Sequence, residues 1–164
     1  MKHSTQSGTR AGKSWAAWLA VLIVISVLSF PAFAALGGDV DSVQADQAHM
    51  KGSLRVTQAR RYAVHEIKTD TGTTVREYVS PTGQVFGVAW HGPFIPQMQQ
   101  LLGTYFQQYS QAVRAQKTRY VGRRPLNIQQ PGLVVQGGGH MLSYFGRAFV
   151  PEMVPQGVKT EEVR

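Results

Sequence analysis

Apolar and polar residues alternate most clearly between Arg61 and His91. Three runs there favour strands: Tyr62–Thr69, Thr73–Ser80 and Gln84–Trp90. They are divided by Asp70-Thr71-Gly72 and Pro81-Thr82-Gly83. Glycine in third place is the pattern of a three-residue hairpin loop whose last residue is left-handed. In the first hairpin that loop sets Ile67 against Val75, Ala63 against Val79, His65 against Glu77 and Glu66 against Arg76. A two-residue Thr71-Gly72 loop would set Glu66 against Glu77, a repulsive pair, so the longer loop is preferred. The same rule pairs Val79 with Val85, Tyr78 with Phe86 and Glu77 with Gly87 in the second hairpin. One face of this meander then carries small residues with His65 and Glu77, which suits a packed helix. The other has an aromatic half, with Tyr62, Tyr78, Phe86 and Trp90.

The pattern changes period on either side. Asp41–Met50 reads as a short covering helix, capped by Asp41 or Ser42 and followed by Gly52, with Val43, Gln47 and Met50 on its thin stripe. Pro93–Gln116 reads as the main amphipathic helix. Met98, Leu101, Leu102, Tyr105, Phe106, Tyr109 and Val113 recur at helical spacing, opposite a glutamine-rich face. Pro96 suits the first turn, and Gly103 is expected to permit close approach to the sheet. Lys117–Arg124 reads as a basic connector. Leu126–Val150 resumes strand character as a hairpin whose loop is Gln136-Gly137-Gly138-Gly139-His140. Pro151–Arg164 reads as a tail.

The N-terminus belongs to a different class of segment. Met1–Ser14 is polar and basic, Trp15–Phe30 is an apolar run broken only by Ser26 and Ser29, and Pro31 precedes Ala32-Phe33-Ala34. This is the pattern of a signal peptide, residues 1–34, cleaved between Ala34 and Ala35. The run is shorter than the ~20 residues that span a bilayer comfortably. Gly8–Ser14 imitates a phosphate-binding loop but has three residues between its glycines where four are needed. Cleavage would divide the chain into a domain over 35–150 and the tail over 151–164, and would place it in the periplasm or outside the cell.

Composition narrows the chemistry. The 164 residues include no Cys, which excludes disulfides, thiolate zinc sites and cysteine nucleophiles. The 17 Lys and Arg outnumber 9 Asp and Glu; the leader takes three of those bases and no acid, leaving a modest positive balance.

The stretches Ala35-Leu36-Gly37-Gly38, Arg76-Glu77-Tyr78-Val79-Ser80-Pro81, Val85-Phe86-Gly87-Val88-Ala89-Trp90 and Gly138-Gly139-His140-Met141, with Gly146-Arg147-Ala148, carry a resemblance. Together they resemble a secreted proteobacterial family catalogued as domain of unknown function 2844, over nearly the whole mature chain. The resemblance implies an exported bacterial protein. It implies no activity, because the family brings no assigned chemistry or site residues.

Four constellations are candidates for chemistry. His65 opposite Glu77, with Gly87 leaving space beside them, has the composition of an acid–base pair; the same two residues also satisfy the description of a buried polar pair. Gly137, Gly138, Gly139 and His140 would expose backbone N–H groups to an anion, although glycines also serve a plain hairpin loop. Arg114, Lys117, Arg119, Arg123 and Arg124 surround Tyr120 and would attract a polyanion, or form a solvated loop. His49, His65, His91 and His140 lack metal-ligand spacing, so no metal is expected, and no cofactor motif is present. No serine has a nucleophile motif, and the acids fall mostly in turns and termini. No nucleic-acid recognition motif is present either.

The sequence therefore predicts an α+β domain. Its frame is an antiparallel β-meander, three strands plus a C-terminal hairpin, packed by one main amphipathic helix and a short N-terminal helix. The function it favours is a non-catalytic binding or assembly module of the envelope, meeting an envelope protein or polysaccharide. The contact surfaces expected are the glutamine-rich helix face, the aromatic sheet face and the glycine loop. The rivals are a small periplasmic enzyme using His65 and Glu77, and polyanion binding through Arg114–Arg124. Membrane contact is expected only through an uncleaved leader.

Overall fold

The computed structural model describes residues 36–119 and 125–164, with no side chains for 117–119. The segment expected to be a signal peptide, with its expected cleavage site, lies outside the described residues, as do Tyr120, Arg123 and Arg124. The class is the expected α+β. Seven antiparallel strands form one sheet: β1 (Ser53–Gln58), β2 (Ala63–Lys68), β3 (Thr74–Val79), β4 (Val85–Gly92), β5 (Leu126–Gln130), β6 (Leu133–His140) and β7 (Ser143–Phe149). Their order is β1-β2-β3-β4-β7-β6-β5. The helices are α1 (Val40–His49), α2 (Met98–Leu102) and α3 (Phe106–Arg119). No helix among the described residues is long and apolar enough to cross a membrane.

The first hairpin has the register its loop dictated. Ala63 faces Val79, His65 faces Glu77, Glu66 faces Arg76 and Ile67 faces Val75. Gly72 adopts φ 88°, the left-handed value required of that position. Glu66 and Arg76 make the ion pair that preferred this register, at 2.8 Å. It sits in solvent, so it selects the register more than it stabilises the fold, contributing about 0–1 kcal/mol.

The second hairpin departs from expectation by one residue. Val79 does face Val85, but Tyr78 then faces Gly87 and Glu77 faces Val88. Phe86 is the extra residue of a β-bulge. The bulge puts Val85, Val88 and Trp90 into one core with Ile67 and Val75, while Phe86 and Ala89 join Tyr78 in another. Apolar residues on both faces explain why alternation along β4 concealed it. The pairing of Glu77 with Gly87 is thus overturned.

β1 was not expected. Its Leu54 and Val56 are its only large apolar residues, and the strand is mostly exposed at the sheet edge, pairing with β2 alone. The last three strands run back toward the centre, so β7 lies beside β4. The helical connection makes this possible. Leu101 and Leu102 of α2 are buried against the sheet. Gly103 then takes φ 49°, and a short 3-10 turn redirects the chain into α3. Along α3, Gln108 donates to the Pro131 carbonyl at 2.8 Å and Gln116 to the Asn127 carbonyl at 2.6 Å. The chain is thereby delivered to the far edge, where β5 begins. The single helix expected over Pro93–Gln116 is two helices, and Gly103 serves to break it, because one straight axis would not both cover the centre and follow β5.

A layer forms on each side of the sheet. Val43, Leu101 and Leu102 from the helices close the larger core. The segment Pro151–Arg164, read as a tail, lies across the other face. Val163 is fully buried there with Tyr78, Phe86 and Ala89. Its methyl groups come within 3.1 Å of where a Cβ on Gly87 would be, so the space left by Gly87 belongs to Val163. The Tyr78 hydroxyl donates to the Arg164 carbonyl at 2.6 Å and accepts from the Arg164 N–H at 3.0 Å.

Candidate functional site

The cross-strand neighbours His65 and Glu77 share the helix-covered face, as expected. Their chemistry is different from that expected. No donor reaches either Glu77 oxygen, and His65 Nδ1 is also unpartnered. Burial pushes the His65 pKa down, so the ring is neutral near pH 7. Glu77 is instead turned toward Asp46 of α1. Asp39 caps that helix through Ser42, and its buried residues are Ser42, Val43 and Asp46. This brings a carboxyl group down onto the sheet.

Asp46 and Glu77 are each 1% exposed. Gln100 of α2 donates to Asp46 Oδ1 at 2.5 Å. Burial, followed by the hydrogen bond and charge of Asp46, pushes Glu77 up to about 9. Burial pushes Asp46 up to about 6, while hydrogen bonds from Glu77 and Gln100 and the charge of His49 hold it down. Two carboxylates in one dry space cannot both ionise cheaply. At neutral pH the pair therefore holds one proton, carried by Glu77 and donated to Asp46. Sequence reasoning missed Asp46 because its spacing recorded a helix face and not what that face would meet. With so little exposed surface, the acids are closed to any substrate.

The glycine run is also placed differently. Gly137, Gly138 and Gly139 lie inside β6, facing Gly146, Phe145 and Tyr144 of β7. The turn is Met141-Leu142, between the paired residues His140 and Ser143. The expected loop over these residues is thus overturned: they are strand residues, and the turn lies beyond them. Gly146, opposite Gly137, makes room for a ring. A Cβ on Gly146 would overlap the six-membered edge of the Trp90 indole, and one on Gly137 would touch it at 3.8 Å. His140 is exposed at the strand end, its Nδ1 3.1 Å from the Met141 carbonyl oxygen.

Arg114 is exposed on α3, and Lys117 and Arg119 lie in its last turns. Among the described residues no three metal-ligating side chains gather. The aromatic face is taken up internally: Tyr62, Tyr78 and Phe86 meet in tilted and edge-to-face contacts with centroids 5.8 to 6.1 Å apart, and Tyr62 donates to Glu162 at 2.9 Å. Gln100 and Gln108 from the glutamine-rich face are likewise bonded within the chain, as is Gln116 farther along α3.

One open cavity of ≈ 680 Å³ was not foreseen. Trp90, Leu126, Phe145, Gly137 and Gly146 give it apolar walls, and Arg76, Arg147 and Arg164 supply charge. Arg147 is held as a fork: Nε and one terminal nitrogen donate to Gln136 Oε1 at 2.9 and 2.7 Å, and the other donates to the Thr160 carbonyl at 2.9 Å. The sequence signal available was Gly137 together with Gly146 in the strand expected after it, but the glycine run around Gly137 reads locally as a loop.

A family model described as "Protein of unknown function (DUF2844)" matches residues 32–163. No curated protein and no solved structure matches the chain.

Proposed function

This chain belongs to the DUF2844 family, and from that premise we propose that it is an exported, non-catalytic binding module of the bacterial envelope. Its contact site is the open cavity beside Trp90, Phe145 and Arg147. Export follows from the basic, apolar and small-residue pattern of residues 1–34. The observation that carries the binding reading is the contrast between two sites. The acid pair capable of proton transfer is closed to solvent, whereas a large cavity with apolar walls and convergent polar groups stands open.

The test is an NMR titration of the isotopically labelled protein with soluble envelope polysaccharide and envelope protein fractions. Shifts confined to the Trp90 indole and the amides of Gly137, Phe145 and Gly146 support the reading. Shifts centred on Arg114 that vanish steeply with salt would favour polyanion binding instead. Turnover of any substrate that is lost in Glu77→Gln would favour the enzyme.

A further inference from the structure

Resting on that reading of the cavity, we propose that its ligand is a single-chain amphiphile with an anionic headgroup, a carboxylate or a phosphate on an acyl chain.

The charge argument comes first. Three arginines line the cavity and no Asp or Glu among the described residues does. Arg76 is offset by Glu66, and its Nη1 also donates to the Arg164 backbone oxygen at 3.2 Å. Arg147 is not offset: all its hydrogen bonds go to neutral acceptors, the Gln136 amide and the carbonyls of Thr160 and Val163. Its planar fork is thus fixed while its charge remains uncompensated. The Arg164 side chain makes no hydrogen bond among the described residues, and Glu162 feels its charge without forming an ion pair. A fixed cation beside an exposed one in a cavity walled by apolar atoms suits one compact anion.

The apolar argument supplies the chain. Phe145 lines the cavity and is 55% exposed. Beyond it along β7 the hairpin ends in Leu142 and Met141, 64% and 79% exposed. Leu142 holds φ 61°, a conformation that favours glycine or asparagine, yet the residue is large and apolar. Strand alternation puts Ser143, Phe145 and Arg147 on one face of β7, so the exposed apolar edge next to the cation is the Phe145 ring, which suits a chain whose headgroup lies at the arginines. A free phosphate has no use for the apolar edge, and a neutral chain has none for Arg147.

The experiment titrates the full-length protein with laurate and with dodecyl phosphate, both below their micellar concentrations. The Trp90 indole and the Phe145 and Gly146 amides are followed by NMR. Inorganic phosphate and neutral dodecyl maltoside are the controls. Both anionic amphiphiles are expected to shift those signals, with dodecyl maltoside at least tenfold weaker and inorganic phosphate silent. Whichever binds more tightly identifies the headgroup. Arg164→Gln and Phe145→Ser alter exposed side chains, and unchanged melting confirms that each variant folds. Each should weaken laurate about tenfold, the loss of one charge-assisted or one apolar contact. If dodecyl maltoside binds as tightly as laurate and Arg164→Gln changes nothing, the anionic class is wrong while the cavity remains a binding site. If no amphiphile moves these signals but an envelope fraction does, the amphiphile is wrong and the cavity reading stands. If nothing moves them, both fall.

Discussion

Glu77 on β3 and Asp46 on α1 place two carboxyl groups in one dry space between sheet and helix, with a single proton between them at neutral pH. Gln100 from α2 donates to the same Asp46 carboxylate. Three elements distant in sequence therefore meet through polar side chains beneath the apolar core.

That relationship makes stability fall as pH rises. Glu77 has a folded value of about 9, above its ordinary 4.5, so its contribution is present below pH 4.5 and lost through pH 9. Asp46, raised from 3.8 to about 6, loses its contribution between those values. Thermal melts from pH 5 to pH 9 should show a declining midpoint. Glu77→Gln keeps a donor for Asp46 without an ionisable group, so its melting should be nearly level above pH 6. At pH 8 it should exceed the parent by about 1–3 kcal/mol. A parent protein with a level profile over this range would show that the two acids do not share a proton.

Gly103→Ala reports on the break between α2 and α3. In a continuous helix this change would stabilise by about 1 kcal/mol. At φ 49° it should instead cost about 1–2 kcal/mol. Urea denaturation gives the sign directly, and a gain in stability would mean that the helix is unbroken.

Gly146→Ala should drive a methyl group into the Trp90 indole. Overpacking of this kind costs about 1–3 kcal/mol. The indole N–H resonance of Trp90 should move as well. An unperturbed resonance would mean that the ring does not lie over Gly146.

Tyr78→Phe removes the hydroxyl that both donates to and accepts from the backbone of Arg164. The expected loss is about 1–3 kcal/mol. It should come with faster proteolysis after Pro151, since Val163 is the main apolar anchor left for that segment. Cleavage at the parent rate would show that the segment does not depend on Tyr78.

The sequence by itself determined the β2–β3 hairpin. Gly72 set the loop length, and opposite charges at Glu66 and Arg76 against like charges at Glu66 and Glu77 set the register. It also determined the existence of α1 and the apolar stripe of the main helical region, because both are written as local spacing. Only the tertiary structure decided the rest. Phe86 could become a bulge residue because both faces of β4 are covered, and a strand buried on both sides has no alternation to read. Asp46 meets Glu77 only after α1 has packed on the sheet, and Gly146 of β7 is explained only by the indole of another strand. The physical reason is common to all three. Side-chain periodicity along a chain states which way each residue points, whereas desolvation, ring packing and shared protons depend on what arrives from elsewhere to occupy the same space.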